Sequence, residues 1–490
     1  MTILHWAFII VILYTLLNLY VGLGMGYKKE VVNNASGFFL GGGTNYFILY
    51  FTTAATWFST WLYMGAVGTY FKFGIGFICS ATWQLVIMIL MGYFGVKFAK
   101  LKAAKDYITP SDLLEDFYES RNLRFVVAFL QLVFCVPYLM AQVTGVGLAF
   151  ETLTQGTIPY WGGVLYAACV VGLYCTIGGF RSQAWVDTLQ GIMFTVILWG
   201  AVAILIFQPE VGGFTNLFDK ISEKSMKLLR FPLEKSEGYH LWTIYLSFFF
   251  IQSFGGFFAP YVWQRMYAAK HPSIIRKMAG TMAPFYCLVI SLPVMLIGFC
   301  GVLLYPDIAN SDNIMVATLY KYSPIWSIFA VIGILAAGMS TISSILVTAS
   351  SIIAVDVVKP FKPDMDSHAL RNLGRYIVLA LLLVAVVLSL MQVKGLVWLV
   401  FMSLSGFAQL FFPALGVFYW KRASTAGCIA GLVTGMVITY LFSFTYPNPM
   451  NILGGFWGLM ANGVVFFAVS LATKPASEQK RAEFSAIVNA

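Results

Sequence analysis

Apolar residues along this chain come in long runs of about twenty, separated by short polar stretches. A hydrocarbon core of about 30 Å takes roughly 20 apolar residues as a helix, so each run predicts a membrane-spanning helix. Thirteen spans are predicted, at 4–24, 44–70, 73–98, 124–150, 158–178, 183–207, 240–263, 276–305, 323–355, 373–393, 396–419, 426–445 and 452–473. Two of them make poor plain rods. The second reads TTAATWFSTWLYMGAVG over 52–68, dense in Thr, Ser and Ala at mid-membrane. The seventh contains QSFGGFFAP, where Gly255–Gly256 followed by Pro260 predicts a loosened helix with backbone groups free for a ligand. An ordinary kink, which membrane helices tolerate, is the plainer reading of each. These break-prone spans open two successive sets of five, 44–70 through 183–207 and 240–263 through 396–419. Interrupted helices at corresponding positions of two halves point to a transporter site, and an odd number of spans per set inverts the second half.

The ninth span carries AAGMSTISSILVTASS over 336–351. Each hydroxyl can back-bond to its own helix, so the stretch is tolerable in lipid without being favoured there. Ala337 and Thr341 are four apart, so the Ala337 carbonyl faces the same side as the Ser340 and Thr341 hydroxyls. Neutral oxygens grouped this way suit Na⁺ and suit a transition metal poorly. Ser343 and Ser344 add two more oxygens one turn on. Hydroxyl contacts that glue helices together are the competing reading. Asp187 is an acid inside a span, following the GGF turn at 178–180. Either it pairs with Arg181 at the membrane interface, or it marks a cation or proton pathway.

Composition sets the class: 60% of the chain is hydrophobic and 10% charged, with a mean hydropathy of +0.82. Soluble proteins carry about 25% charged residues, so this is a polytopic membrane protein with no separate soluble domain. Met1–Tyr27 has no basic n-region or small-residue cleavage site and reads as a retained span. The net charge of +10 reports topology. With the N-terminus outside, the inward loops carry Lys28/Lys29, Lys97–Arg124, Arg181, Arg265–Lys277, Lys359–Arg375, Lys421/Arg422 and Lys474–Arg481, most of the chain's 30 Lys and Arg. No nucleic-acid partner is needed to explain that charge. The seven cysteines lack a CxxC pair and read as small buried hydrophobes. His5, His240, His271 and His368 fall at span ends or in loops, which speaks against haem, a metal centre or a histidine relay. No GxxxxGK[ST] loop occurs, so nucleotide-driven pumping is not expected, and no cluster of His, Asp or Glu gathers near one membrane face, as a membrane enzyme would need.

Six motifs follow one another: FFLGGG (38–43), STWLYMGAVG with YFKFGIGF (59–68, 70–77), TPSDLLEDFYESR (109–121), YCTIGGFRSQAWVDTLQG (174–191), APYVWQRMYAAK (259–270) and AAGMSTISS (336–344). In this order and spacing the chain resembles, over nearly its whole length, the sodium/solute symporters, which include bacterial proline and pantothenate transporters and sodium/glucose cotransporters. The resemblance implies an all-α membrane fold of the leucine-transporter type with 13 transmembrane helices. Two inverted five-helix repeats (44–208 and 240–421) would be flanked by one N-terminal helix (1–43), an external loop (209–239) and two C-terminal helices with a cytoplasmic tail (422–490). It further implies Na⁺ on the carbonyls of Ala55, Phe58 and Ala337 and the hydroxyls of Ser340 and Thr341. A second Na⁺ would use Asp187, Ser343 and Ser344, as in some members. The solute would meet Ser59, Thr60, Tyr138, Gln142, Gln252 and the stretch from Ser403 to Gln409. Trp57 stands where proline-type members carry Asp, which argues against a proline-specific site.

The expected function is co-import of a small organic solute (a monocarboxylate, a pantothenate-like acid or an amino acid) with Na⁺ across the cell membrane by alternating access. The protein is expected to work as a monomer in the bilayer, N-terminus outside and C-terminus cytoplasmic, with Na⁺ as coupling ion and no cofactor. No lone Lys or Arg is expected at mid-membrane, so a carboxylate solute would need hydroxyls, a half-helix N-terminus or the bound Na⁺. Three alternatives remain. One is a proton-coupled transporter with Asp187 titrating, another a non-transporting solute sensor, and the third a membrane enzyme.

Overall fold

Helices carry nearly all of the chain in the computed structural model, which describes residues 3–154, 156–233, 238–391 and 395–490. Residues 1–2, positions 234–237 of the predicted external loop and the predicted span end at 392–393 lie outside the described residues. In chain order, leaving aside Ile314–Tyr322 and helices of six residues or fewer, the helices are α1 (Ile3–Gly26), α2 (Tyr46–Trp57), α3 (61–73), α4 (Cys79–Ala104), α5 (Pro110–Tyr118), α6 (Arg121–Leu153) and α7 (Tyr160–Ile206). There follow α8 (Gly213–Ser225), α9 (Trp242–Phe258), α10 (Pro260–Ala268), α11 (Pro272–Leu304), α12 (Pro324–Phe361) and α13 (Ser367–Leu390). The last four are α14 (Leu396–Phe418), α15 (Thr425–Thr445), α16 (Gly454–Ala472) and α17 (Glu478–Asn489). Among the described residues, ten helices are long and apolar enough to cross a membrane, and the bent pair α9–α10 makes an eleventh. Extended pairing is confined, among the same residues, to an isolated parallel bridge between Thr44 and Ala269.

Breaks decide the architecture. At about 1.5 Å per residue the 47 residues of α7 would run about 70 Å, over twice the hydrocarbon core. Gly179 divides it, at φ 56° and ψ −149°, a conformation open to glycine alone. A Cβ there would lie 2.3 Å from the Phe38 carbonyl oxygen, so the predicted GGF turn is a one-residue hinge packed on the preceding segment.

The predicted span 44–70 is two half-helices. α2 stops at Phe58 (φ −85°, ψ 86°), and helical geometry resumes at Thr60. Gly145 of α6 and Gly338 of α12 let both helices close on Thr60, since a Cβ at either would come within 2.8 Å of its side chain. The seventh predicted span also breaks, by 44°, at Ala259. The break lies just ahead of Pro260, whose ring disfavours helix in the residue before it. The Gly255–Gly256 pair, expected to loosen the helix, lies inside α9 and serves packing. Cβ atoms there would sit 2.2 Å from the Leu404 carbonyl oxygen and 2.8 Å from the Trp83 ring.

The two broken helices are tied to each other. Thr44 N–H donates to the Ala268 carbonyl (2.7 Å) and Lys270 N–H to the Thr44 carbonyl (3.0 Å). α12 runs beside them with every residue from Ala330 to Ser351 buried. Its hydroxyls therefore meet protein and not lipid.

Candidate ion and solute site

Where α2 ends, its last carbonyls have no partner in their own helix. α12 supplies one. Ser340 Oγ lies 2.9 Å from the Ala55 carbonyl oxygen and 3.0 Å from that of Ala337. Thr341 Oγ1 lies 3.2 Å from the Thr56 carbonyl oxygen and 3.1 Å from that of Ala337. Phe58 closes α2 beside them, its N–H donating to the Ala54 carbonyl at 3.0 Å. Hydroxyl and carbonyl oxygens of Ala55, Ala337, Ser340 and Thr341 thus meet in one buried place, and Thr56 joins the residues picked out in the sequence. No formal charge contributes. This donor chemistry is that of a monovalent hard cation held loosely, and it offers nothing to a soft metal.

A second cluster lies one turn along α12. Asp187 Oδ2 accepts from Thr52 Oγ1 (2.6 Å), Arg265 Nη2 (3.2 Å) and Gln183 Nε2 (3.3 Å), and Oδ1 accepts from Ser343 Oγ (3.3 Å). Arg265 Nη2 also donates to Ser344 Oγ (2.7 Å) and Thr52 Oγ1 (3.0 Å). Its Nη1 donates to the Tyr261 carbonyl one turn back (2.7 Å). Thr52, Gln183, Asp187, Arg265, Ser343 and Ser344 are all fully buried. Two expectations are corrected here. Arg265, counted among the residues of an inward loop, sits inside the helix bundle, because α10 continues to Ala268 after the Ala259 bend. The counter-charge of Asp187 is that arginine and not Arg181. Sequence reasoning missed Arg265, Gln183 and Thr52. The one available signal was that Arg265 follows Tyr261 by four residues after a helix-starting proline.

The expected solute residues divide. On the far side of the α2–α3 break, Gln142 Oε1 accepts from both the N–H and the hydroxyl of Thr60, each at 2.9 Å. That leaves Gln142 Nε2 buried without a hydrogen-bond partner, and Gln252 Oε1 is in the same condition on α9. Ser59 is buried in the break itself. Tyr138 packs against Tyr261 with the rings tilted by 36° and their centroids 5.6 Å apart, and brings that α10 residue to the group. Ser403 is buried on α14 and turns its hydroxyl to the Leu399 carbonyl (3.1 Å). Gln409 does not join the group. Its Nε2 donates to the Ser405 carbonyl (2.9 Å) and its Oε1 accepts from Asn462 of α16 (3.1 Å), so its amide fastens α14 to the C-terminal helices.

Comparison with known proteins agrees with this architecture. The model of the sodium:solute symporter family matches residues 38–435. The chain is 28% identical to the sodium/pantothenate symporter of Haemophilus influenzae over 80% of each chain. It is 27% identical to the sodium/proline symporter of Escherichia coli K12, covering 89% of this chain and 88% of that one. In fold it is similar to a Na⁺-coupled sialic acid symporter solved in a substrate-bound outward-open state, with a TM-score of 0.81 at 16% identity over 96% of this chain and 99% of that one. The protein is a multi-pass membrane transporter and not an enzyme. With well over half its length matched, the chain belongs to the sodium:solute symporter family.

Proposed function

We propose that this protein couples Na⁺ entry to import of a small organic solute across the cell membrane by alternating access. The observation that carries the reading is the meeting of Ser340 and Thr341 of α12 with the carbonyls that end α2, at 2.9 and 3.2 Å. Na⁺ is held there by the carbonyls of Ala55, Phe58 and Ala337 and the two hydroxyls. The solute binds across the same break, against Ser59, Thr60, Tyr138, Gln142, Gln252 and Ser403. The matched relatives transport pantothenate and proline, and the structural neighbour sialic acid. A monocarboxylate, a pantothenate-like acid or an amino acid fits this site. Arg265 is engaged by Asp187, so a carboxylate is met by the Gln142 amide, the break's hydroxyls and the N-terminal end of α3. Trp57, whose Nε1 donates to the Gly256 carbonyl (3.1 Å), occupies the ground where proline-type members carry an acid.

Counting α2–α3 as one span and the limbs of α7 as two brings the crossings to thirteen. That odd count puts the termini on opposite faces and five crossings in each of 44–208 and 240–421, as inverted repeats require; with the basic loops inside, the N-terminus and the 209–239 loop are external and the C-terminus is cytoplasmic, and the protein works as a monomer. Ion and solute share one break, so each stabilises the local geometry the other needs. The coupling must then be reciprocal. The test is solute binding to purified protein in Na⁺ and in choline buffer, across candidate acids. The expected result is at least about tenfold tighter binding in Na⁺, a coupling of about 1.4 kcal/mol. Ser340→Ala/Thr341→Ala should abolish the difference. Equal affinities in the two buffers, or uptake driven by a pH gradient without Na⁺, would sink the proposal.

A further inference from the structure

We infer that Arg265 is a built-in second cation: its guanidinium fills the place beside Asp187 and Ser344 that a second Na⁺ would take, so one Na⁺ moves per cycle. The inference rests on the Na⁺-symport reading above. A sodium ion in that place would need oxygens with free lone pairs turned to a common point. Arg265 Nη2 already lies 3.2 Å from Asp187 Oδ2, 2.7 Å from Ser344 Oγ and 3.0 Å from Thr52 Oγ1. Ser344 has nothing left to offer. Its Oγ lies 2.7 Å from the Ser340 carbonyl oxygen and 2.9 Å from Thr56 Oγ1, one of which takes its proton, and it accepts from Arg265 and from Gln183 Nε2 (2.8 Å). A hydroxyl oxygen has two acceptor positions, and both are used.

Charge gives the same answer. Asp187 is the carboxylate of this cluster and Arg265 its counter-ion, with both side chains fully buried. Adding Na⁺ would leave a net positive charge among fully buried side chains, which is strongly unfavourable. The guanidinium cannot escape by deprotonating, since arginine stays charged in proteins. Nor is it loose. Its Nη1 is anchored to the Tyr261 carbonyl at 2.7 Å, and the Phe180 ring lies 5.6 Å from its centre. The Ser340–Thr341 site differs on each count, being composed of neutral oxygens with no cationic side chain among their hydrogen-bond partners. Arg265 also acts as a positioning residue. It rides on α10, whereas its partners belong to α2 (Thr52), α7 (Asp187) and α12 (Ser344), so the resident cation joins all four helices where Na⁺ would join fewer.

The experiment is a count of ²²Na⁺ bound per chain on purified, detergent-solubilised protein at saturating Na⁺ and pH 8. The expected result is one ion, lost in Ser340→Ala/Thr341→Ala. Two ions per wild-type chain, or one ion persisting in that double variant, would overturn the inference. No bound ion at all would instead overturn the Na⁺-symport reading. Arg265→Met, which bares Asp187, should raise the count to two and give Na⁺-dependent thermal protection that Asp187→Asn removes. A folded Arg265→Met protein still binding a single ion overturns the inference as well. Should that variant fail to fold, the wild-type count decides alone.

Discussion

On the proposed function, Gln142 does two jobs with one amide. Its oxygen satisfies the N–H and hydroxyl of Thr60 at the point where the α2–α3 helix is broken, and its nitrogen remains for a ligand. A backbone N–H exposed by a helix break and buried in protein is expensive to leave unpaired. Gln142→Leu keeps the volume and removes both functions. It should cost about 1–3 kcal/mol in stability through the stranded Thr60 donor. It should also raise the apparent KM for solute about tenfold or more by deleting the Nε2 contact. Thermal unfolding in detergent and uptake into proteoliposomes measure the two effects separately. An unchanged KM would remove Gln142 from the solute contacts and leave it a helix-break cap.

At the scale of elements, α17 is held to the α4–α5 hairpin by charge and by one ring. Lys105 binds both Asp116 and Glu483, Lys480 reaches Asp116 at 2.5 Å, and Lys100 Nζ donates to the Val488 carbonyl at 2.8 Å. Phe484, 2% exposed, packs its ring 5.1 Å from that of Phe117. Burial works against the charged form of Asp116, but Lys105, Lys480 and the Tyr107 hydroxyl outweigh it and hold the carboxyl below its ordinary value. Lys105, and after it Lys480, likewise hold Glu483 low against a smaller opposing effect of burial. Hydrogen bonding to Asp116 raises Lys480.

A carboxylate held low when docked stabilises the docked state above its free pKa, about 4, and loses that contribution as pH falls through its lowered value. A lysine held high stabilises it below about 10.4 and loses that as pH rises through its raised value. Docking of α17 should therefore be level from about pH 5 to 10 and loosen below about pH 4. Phe484→Ala should cost about 3 kcal/mol of docking and speed amide exchange across 478–489 by about 100-fold at neutral pH. Exchange rates that ignore both the substitution and acid would show that the charges and the ring hold nothing.

For the molecule as a whole, the α9–α10 bend, α11 and α12 separate residue 219 from residue 364, and both positions are exposed. On the proposed topology that odd number of crossings places them on opposite faces of the bilayer. With Cys169, the exposed cysteine, replaced by Ser, a membrane-impermeant maleimide should label Asp219→Cys from outside intact cells. Asp364→Cys should react only after the membrane is opened. Labelling of both from one side would break the inverted-repeat topology.

Hydropathy is a local property, and lipid demands it of every crossing helix, so the presence and order of the long apolar helices could be read directly from the chain. The partnership of the α12 hydroxyls with the break in α2 was implied by the family resemblance of the motifs at 59–68 and 336–344, while the residues alone left contacts between helices as the competing reading. Small polar residues in a buried helix need partners, but their own stretch does not say which helix supplies them. Three features belonged to the tertiary structure alone. Arg265 lies twelve residues before Lys277 in a basic stretch, so charge counting sends it to a loop; only the packing of α10 against α2, α7 and α12 encloses it. The bend fell at Ala259 and not at Gly255–Gly256, because the glycines were needed for close contact with Leu404 and Trp83. Gln409 turned toward Asn462 because a helix buried on every side carries no sequence pattern telling one face from another. Lipid reads residues one at a time, whereas a binding site depends on which faces of separate helices happen to meet.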